Sequence, residues 1–378
     1  MIRVGISLLI LFGFSRSTAP EPTVRFERYF VAAESYESVA VFDVDNNDTL
    51  DIVSGDFWYE GPRFRRRHLI GSQQRQDQYY DDFSTIPLDV NADGRTDFIT
   101  GGWWNGRLRW VENVGKQSPW PVHDIAGVGN VETTRAWDVD GDGKPEIVPN
   151  NPGKPLKYLK MTASGQFQTV NVAPTQGHGL GFGDVNGDGR GDFIVSDGWL
   201  EAPGHPNAGA EPWTLHKEFS LGTASVPILV LDLTGDGRND LIVGQGHGYG
   251  LHWYEQTTGT NGTRGWIRHD IDEKNSQYHC MDWVDVTGDG RPDLLTGKRF
   301  RAHNDNDPGA NDPVGLYYFT WDRAAKQFTK HVIAYGPAGV GKGTGIYFAT
   351  ADLRRTGRTD IIVAGKDGLT VFFNEGQK

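Results

Sequence analysis

Asp184-Val-Asn-Gly-Asp-Gly-Arg-Gly-Asp192-Phe-Ile-Val195 is a nine-residue acidic phrase running into a short apolar stretch. Asn186 and Asp188 stand at its third and fifth positions, Gly189 at the sixth permits a sharp turn, and Asp192 closes it. The phrase, in general D-x-[DNT]-x-[DN]-G-x-x-[DE] with small departures, also begins at Asp43, Asp89, Asp138, Asp232, Asp285 and Asp352, and successive starts are 46, 49, 46, 48, 53 and 67 residues apart. A period of this length predicts a solenoid, a propeller or an array. Within one unit the four runs Ser84–Leu88, Thr96–Thr100, Arg107–Glu112 and Pro121–Ile125 are β-branched or aromatic, with Gly-rich turns between them and no helical period. An all-β fold follows: a seven-bladed β-propeller of four-stranded antiparallel blades.

The seventh unit stops at Phe373 without an outer run, and Val24–Val31 has the character of the missing strand. It is expected to complete the last blade and so leave no open edge. Residues 21–378 are thereby assigned to one propeller domain. Residues 1–20, with apolar Val4–Phe14 followed by small residues up to Ala19, read as a secretory signal, which implies a secreted or periplasmic protein. No transmembrane span is expected in the mature chain. The balance of 37 basic to 49 acidic residues, a net −12, disfavours nucleic acid as a partner. Cys280 is the sole cysteine, so metal ions rather than disulfides would have to staple the fold.

Carboxylates at positions 1, 3, 5 and 9 of a tight loop converge on one point, and hard oxygen ligands suit Ca²⁺. The EF-hand reading fails because position 12 is Val195, Val243 or Pro149 and strands follow the loop. The expected structural calcium ligands are Asp43, Asp45, Asn47 and Asp51; Asp89, Asn91, Asp93 and Asp97; Asp138, Asp140, Asp142 and Glu146; Asp184, Asn186, Asp188 and Asp192; Asp232, Asp236 and Asp240; and Asp285, Asp289 and Asp293. The third set is the most acidic. The seventh loop carries Arg354 and Thr356 and is expected to hold no ion.

In such a blade the acidic a–b loops share one face of the disc, and the d–a and b–c connections share the other, where chemistry is to be sought. Five of the eleven histidines, His68, His123, His216, His269 and His331, recur at one place on the outer strand, which repetition explains as packing. His178, His247, His279 and His303 do not recur and fall in segments leading to the far mouth. With them come Asp77, Gln78, Tyr79, Tyr278, Lys298, Arg299, Asn304, Asp305 and Asp307, and the aromatics Trp58, Tyr59, Trp103, Trp104 and Trp199, which suit either sugar stacking or packing between blades. Cys280 beside His279 reads better as a buried inert thiol than as a nucleophile.

The repeat phrase resembles the FG-GAP or VCBS repeats of secreted bacterial propellers and integrin α-subunits, over residues 40–374. The segments Gly297-Lys-Arg-Phe-Arg-Ala-His-Asn-Asp-Asn-Asp-Pro-Gly309 and Gly343-Thr-Gly-Ile-Tyr-Phe-Ala-Thr-Ala-Asp352 resemble the propeller of aldos-2-ulose dehydratase and its bacterial relatives. That resemblance implies a metal-assisted lyase that eliminates water or a glycosidic group from keto-sugars. Lys298, Arg299, His303 and Asp307 are carried over from the first segment, with His178 and His279 as companions. The cupin domains of the fungal enzyme have no counterpart here.

Two functions are therefore carried forward. In a keto-sugar lyase, His178 or His279 is the base. Lys298, Arg299 or a further divalent cation held by His303 and Asp307 stabilises the enolate, and Tyr278 or Tyr79 is the acid. The substrate-binding set is Asp77, Gln78, Trp104, His247, Asn304, Asp305 and Asp307. The alternative is a non-catalytic module that binds glycan or protein with the same rim, as integrin-type propellers do.

Overall fold

The computed structural model describes residues 23–204 and 213–377, so the expected signal segment lies outside the described residues, as does His205. Seven four-stranded antiparallel sheets make up the molecule. Blade 2, for example, runs Ile86–Leu88, Asp97–Gly101, Arg107–Val111 and Val122–Gly127 from the axis outward. In the last sheet Val24–Ala32 pairs antiparallel with Leu369–Gln377, so both ends of the described chain share one blade. No described helix is long and apolar enough to cross a membrane.

The second strand of every blade is apolar on both faces and buried throughout, as in Asp192–Val195 and Asp360–Val363, because a neighbouring sheet covers each face. The core is accordingly split into clusters between blades. One joins Val53 and Trp58 of blade 1 to Phe98, Val111 and Trp120 of blade 2; another joins Ile52 and Tyr59 to Ile362 and Val371 of blade 7. Blades 4 and 5 meet so closely at the axis that a Cβ on Gly181 would stand 2.5 Å from the carbonyl of Ile228.

The recurring histidines pack as expected. His68, His123, His216 and His269 lie flat on Trp58, Trp110, Trp199 and Trp253 at 4.0–4.3 Å between ring centres, and His331 lies on Tyr318 at 4.5 Å. In the first four, Nε2 also meets a glutamate, as in the 2.8 Å contact of His123 with Glu112. Trp58 and Trp199 are thereby packing residues and fully buried, as is Tyr59.

The acidic phrases all form tight loops at one end of the innermost strands. The position-1 carboxylate gathers the amides of positions 4 to 6: Asp184 accepts from Gly187 at 2.7 Å, Asp188 at 3.2 Å and Gly189 at 2.8 Å. The position-9 carboxylate ties the loop to the third strand. Asp97 accepts from Val90 at 3.0 Å through one oxygen and from Asn113 at 2.7 Å through the other. Donor oxygens of Asp43, Asp45 and Asp51, and of Asp138, Asp140 and Glu146, lie within 4.8 Å of one another. A lysine already contacts both of these sets: Lys116 is 3.0 Å from Asp45, and Lys160 bridges Asp140 and Asp142. In the seventh loop the guanidinium of Arg354 stands 3.9 Å from the position-9 carboxylate of Asp360 and bonds Glu375 at 2.8 Å, so a positive charge is built in.

Candidate functional site

Six residues before the first aspartate of each loop stand Glu37, Phe83, Glu132, His178, Val226, His279 and Ile346. They hold one register beside the innermost strands, at the end away from the acidic loops. Four of the seven are ionisable, and their contacts converge. Glu132 Oε1 lies 3.1 Å from Nε2 of His279, 3.6 Å from Nε2 of His178 and 3.3 Å from Nη1 of Arg299. His247, on the loop between the second and third strands of blade 5, brings its Nε2 to 2.7 Å from that of His178. Ring centres among His178, His247, His279 and His303 are 4.2–5.6 Å apart for every contacting pair, within the reach of one small substrate.

Partners on the far side of the rings constrain the tautomers. His178 Nδ1–H donates to the carbonyl of Ala224 at 2.7 Å. Asp307 Oδ2 faces Nδ1 of both His247, at 3.3 Å, and His303, at 3.0 Å, and those two Nδ1 atoms stand 2.9 Å apart, so at most one proton lies between them. Nε2 of His178 faces Nε2 of His247, a pairing that needs a proton or a metal cation between the two. Three imidazole nitrogens and a carboxylate oxygen, drawn from Glu132, His178, His247 and His279 and all within 4.8 Å, make a donor set that fits a zinc-class transition metal rather than calcium. The Nδ1 partners of His178 and His247 are of the type that orients metal-binding histidines. Nδ1 of His279 is buried without a partner.

Electrostatics keep the carboxylates of the cluster ionised. Burial raises the Glu132 carboxyl, but hydrogen bonds from His178 and His279 win and hold it well below the usual range. Burial opposes charge on His178, yet Glu132 lifts its pKa above the ordinary value; burial and the two neighbouring histidines push His247 down to about 4. His279, fully buried beside Arg299, stays neutral. Burial likewise opposes ionisation of Asp307, but His303 and His247 keep it an anion.

Arg299 is the hub. Its Nε reaches Glu37 at 2.9 Å, while Nη1 reaches Glu132 and His279, at 3.3 and 3.2 Å. Lys366 shares Glu37 at 3.4 Å and lies 3.5 Å above the ring of Tyr79, and burial lowers its pKa to about 8. Beside this network opens a cavity of about 300 Å³ lined by the rings of Tyr79, Phe83, Trp103 and Trp104 and by Glu132, Arg299, His303 and Asn304.

The long blade-6 loop that carries His303 is backbone-strained: His303, Asn304 and Asp305 all take left-handed conformations, with φ of 47°, 54° and 62°. The strain is pinned by the Asn304 amide donating to the Tyr79 hydroxyl at 3.3 Å and by Gln78 donating to Asn304 at 2.5 Å. Gln78 and Asp77 form the turn of a small hairpin, Arg75–Gln76 with Tyr79–Tyr80, that precedes blade 2.

The structure places some expected residues elsewhere. Lys298 is buried and donates to the carbonyls of Gly309 and Asp312, closing the base of the loop rather than facing the cavity. The Tyr278 hydroxyl is buried and donates to Asp272 at 2.9 Å, behind the innermost strand, so it does not reach the mouth as an acid. Asp305 pairs with Arg301 at 3.1 Å, and Asp77 sits at the exposed hairpin turn. The cation position expected at His303 and Asp307 alone is shared by His247, and the denser donor set lies one ring further in. Glu37, Glu132, Phe83 and Lys366 escaped sequence reading. The first three carried a signal: the fixed offset of six residues that also marks His178 and His279.

Comparison with known proteins supports the architecture. The FG-GAP-like repeat profile matches residues 89–149, 138–195 and 232–296. No curated protein matches the chain. The crystal structure of the exotype rhamnogalacturonan lyase YesX is similar at 13% identity and a TM-score of 0.51, covering 95% of this chain and 75% of that one. A structure of BBS1N in complex with ARL6DN is similar at 11% identity and a TM-score of 0.48, covering 92% and 94%. The second match carries no argument, and the first bears on fold alone. The chain folds as a seven-bladed β-propeller that carries FG-GAP-like repeats over residues 89–195 and 232–296.

Proposed function

We propose that this propeller is a secreted or periplasmic carbon–oxygen lyase that performs β-elimination on a keto-sugar or keto-glycoside. Calcium in the acidic loops would brace the fold, and one further divalent cation would sit at the mouth. The observation that carries the reading is the convergence of Glu132, His178, His247 and His279 beside a walled cavity. Glu132 and the three Nε2 atoms would hold the cation, which when bound supplies Lewis-acid polarisation of a sugar carbonyl and so acidifies the neighbouring C–H.

The chain's own groups cover the rest. His303, which lines the cavity and whose Nδ1 is held by Asp307, would take the proton from carbon through Nε2. Electrons move into the new C=C, and the C–O bond on the next carbon breaks. Tyr79, whose hydroxyl burial keeps protonated, hands its proton to the departing oxygen. Arg299 fixes Glu132 and Glu37 and screens the centre from water. The products are an enone and an alcohol or water, with no net oxidation.

Metal-loaded protein incubated with 2-keto- or 3-keto-glycosides should generate ultraviolet absorbance from the enone, and His247→Ala should lose it. Silence from every keto-sugar, with metal demonstrably bound, would defeat the lyase reading. Retained glycan binding under those conditions would favour the non-catalytic alternative.

A further inference from the structure

The cavity beside the histidines has two kinds of lining. Glu132, Arg299, His303 and Asn304 bring polar groups, and Tyr79, Phe83, Trp103 and Trp104 bring a wall of aromatic rings. The wall is preassembled: Trp104 meets Tyr79 at 5.5 Å and Phe83 at 5.9 Å between ring centres, and Tyr79 stands edge-on to Phe83 at 6.3 Å and 88°. Trp103 and Trp104 nevertheless remain 37% and 39% exposed, so two large apolar faces stay wet at the edge of an ionic cluster. Such exposure costs free energy that a bound apolar group would recover. Cations lie beside two of the rings, Lys366 at 3.5 Å from the Tyr79 ring and Arg299 at 6.0 Å from that of Phe83.

A sugar ring stacks a C–H face on one aromatic side chain, but its hydroxyl edge finds few partners among four clustered rings. We propose that the wall is the leaving-group subsite for a planar aryl aglycone, so that the substrates are aryl glycosides whose sugar part faces the histidines. The volume of about 300 Å³ accommodates a substituted benzene ring with part of a hexose. The assignment rests on the lyase reading above and narrows it. In the elimination the bond between the anomeric carbon of the sugar and the phenolic oxygen breaks, its electron pair stays on that oxygen, and Tyr79 supplies the proton, so a neutral phenol leaves.

The test separates binding from turnover. Calorimetry on the full chain with unoxidised phenyl, cyclohexyl and methyl β-glucosides should give a phenyl dissociation constant about tenfold below that of methyl, with cyclohexyl between. In Trp104→Ala the phenyl-to-methyl ratio should fall below about threefold, and Trp104→Phe should restore part of it. Equal affinity for phenyl and methyl compounds overturns the subsite, as does a preference that survives Trp104→Ala and Trp103→Ala. Enone formed from phenyl and methyl keto-glucosides with equal kcat/KM overturns the subsite while leaving the lyase intact. Aryl preference without enone from any keto-glycoside keeps the subsite and removes the lyase.

Discussion

The two ends of the innermost strands are built on opposite plans. At the acidic end each loop is closed by its own neighbours: Asp184 bonds amides three to five residues away, and Asp192 bonds an amide seven residues back. At the histidine end the contacts join residues far apart in the chain. Arg299 reaches Glu37 across 262 positions and Glu132 across 167, and His247 reaches His178 across 69. One end is a local motif copied around a ring, and the other is a single constellation that exists only once the ring has formed. Stability is expected to depend on the first and chemistry on the second.

The contrast is most exposed to failure at His247. His247→Ala should lower kcat/KM for enone formation by about 10³-fold while leaving the thermal midpoint in calcium within a few degrees of wild type. An equal loss of both would merge the two ends. Next in size, Asp97→Ala strands the amides of Val90 and Asn113 inside the molecule and should cost about 2–4 kcal/mol of stability, read from the urea midpoint. Turnover per folded molecule should hold. Tyr79→Phe should cost about 10²-fold in kcat with little change in KM. A change confined to KM would reduce the hydroxyl to a binding group.

Proton linkage gives a smaller and opposite-signed probe. Burial pushes the carboxyls of Asp51, Asp192, Asp240 and Asp293 up to about 6 in the metal-free loops. Ionising such a group in the fold lowers stability, a cost absent below the ordinary value of 3.8 and fully present above about 6. Metal-free wild type should therefore gain stability, relative to Asp192→Asn, as pH falls from about 7 to about 5, and calcium should erase that gain. Parallel pH profiles for the two proteins would remove the loops from the linkage. Smallest of all, His123→Gln breaks a partly exposed stack and ion pair and should cost about 1 kcal/mol without touching either end.

The acidic loops were legible because the amides that close each turn lie within the phrase itself, so position-specific chemistry shows as a repeated phrase. His178, His247, His279 and His303 were legible by the inverse sign, as histidines that do not repeat. Lys298 and Tyr278 misled because sequence shows residue type and segment but not the side of the strand. Alternation turned Tyr278 towards Asp272, and the loop fold turned Lys298 onto its own carbonyls. Glu132 lies in a stretch with no histidine beside it to draw notice, and its meaning comes from His178 one blade further on and from His279 and Arg299 three blades on.

Sequence alone determined the blade, its seven copies and the acidic loops, since apolar alternation, turn glycines and carboxylate spacing act over a few residues. Tertiary structure decided which carboxylates and imidazoles face one another. That choice depends on the curvature of a ring of packed sheets, which links Glu37 to Arg299, Arg299 to Glu132 and His279, and Glu132 to His178 and His279 around its axis. No local pattern encodes it, because each of these contacts is made across the width of the ring rather than along the chain.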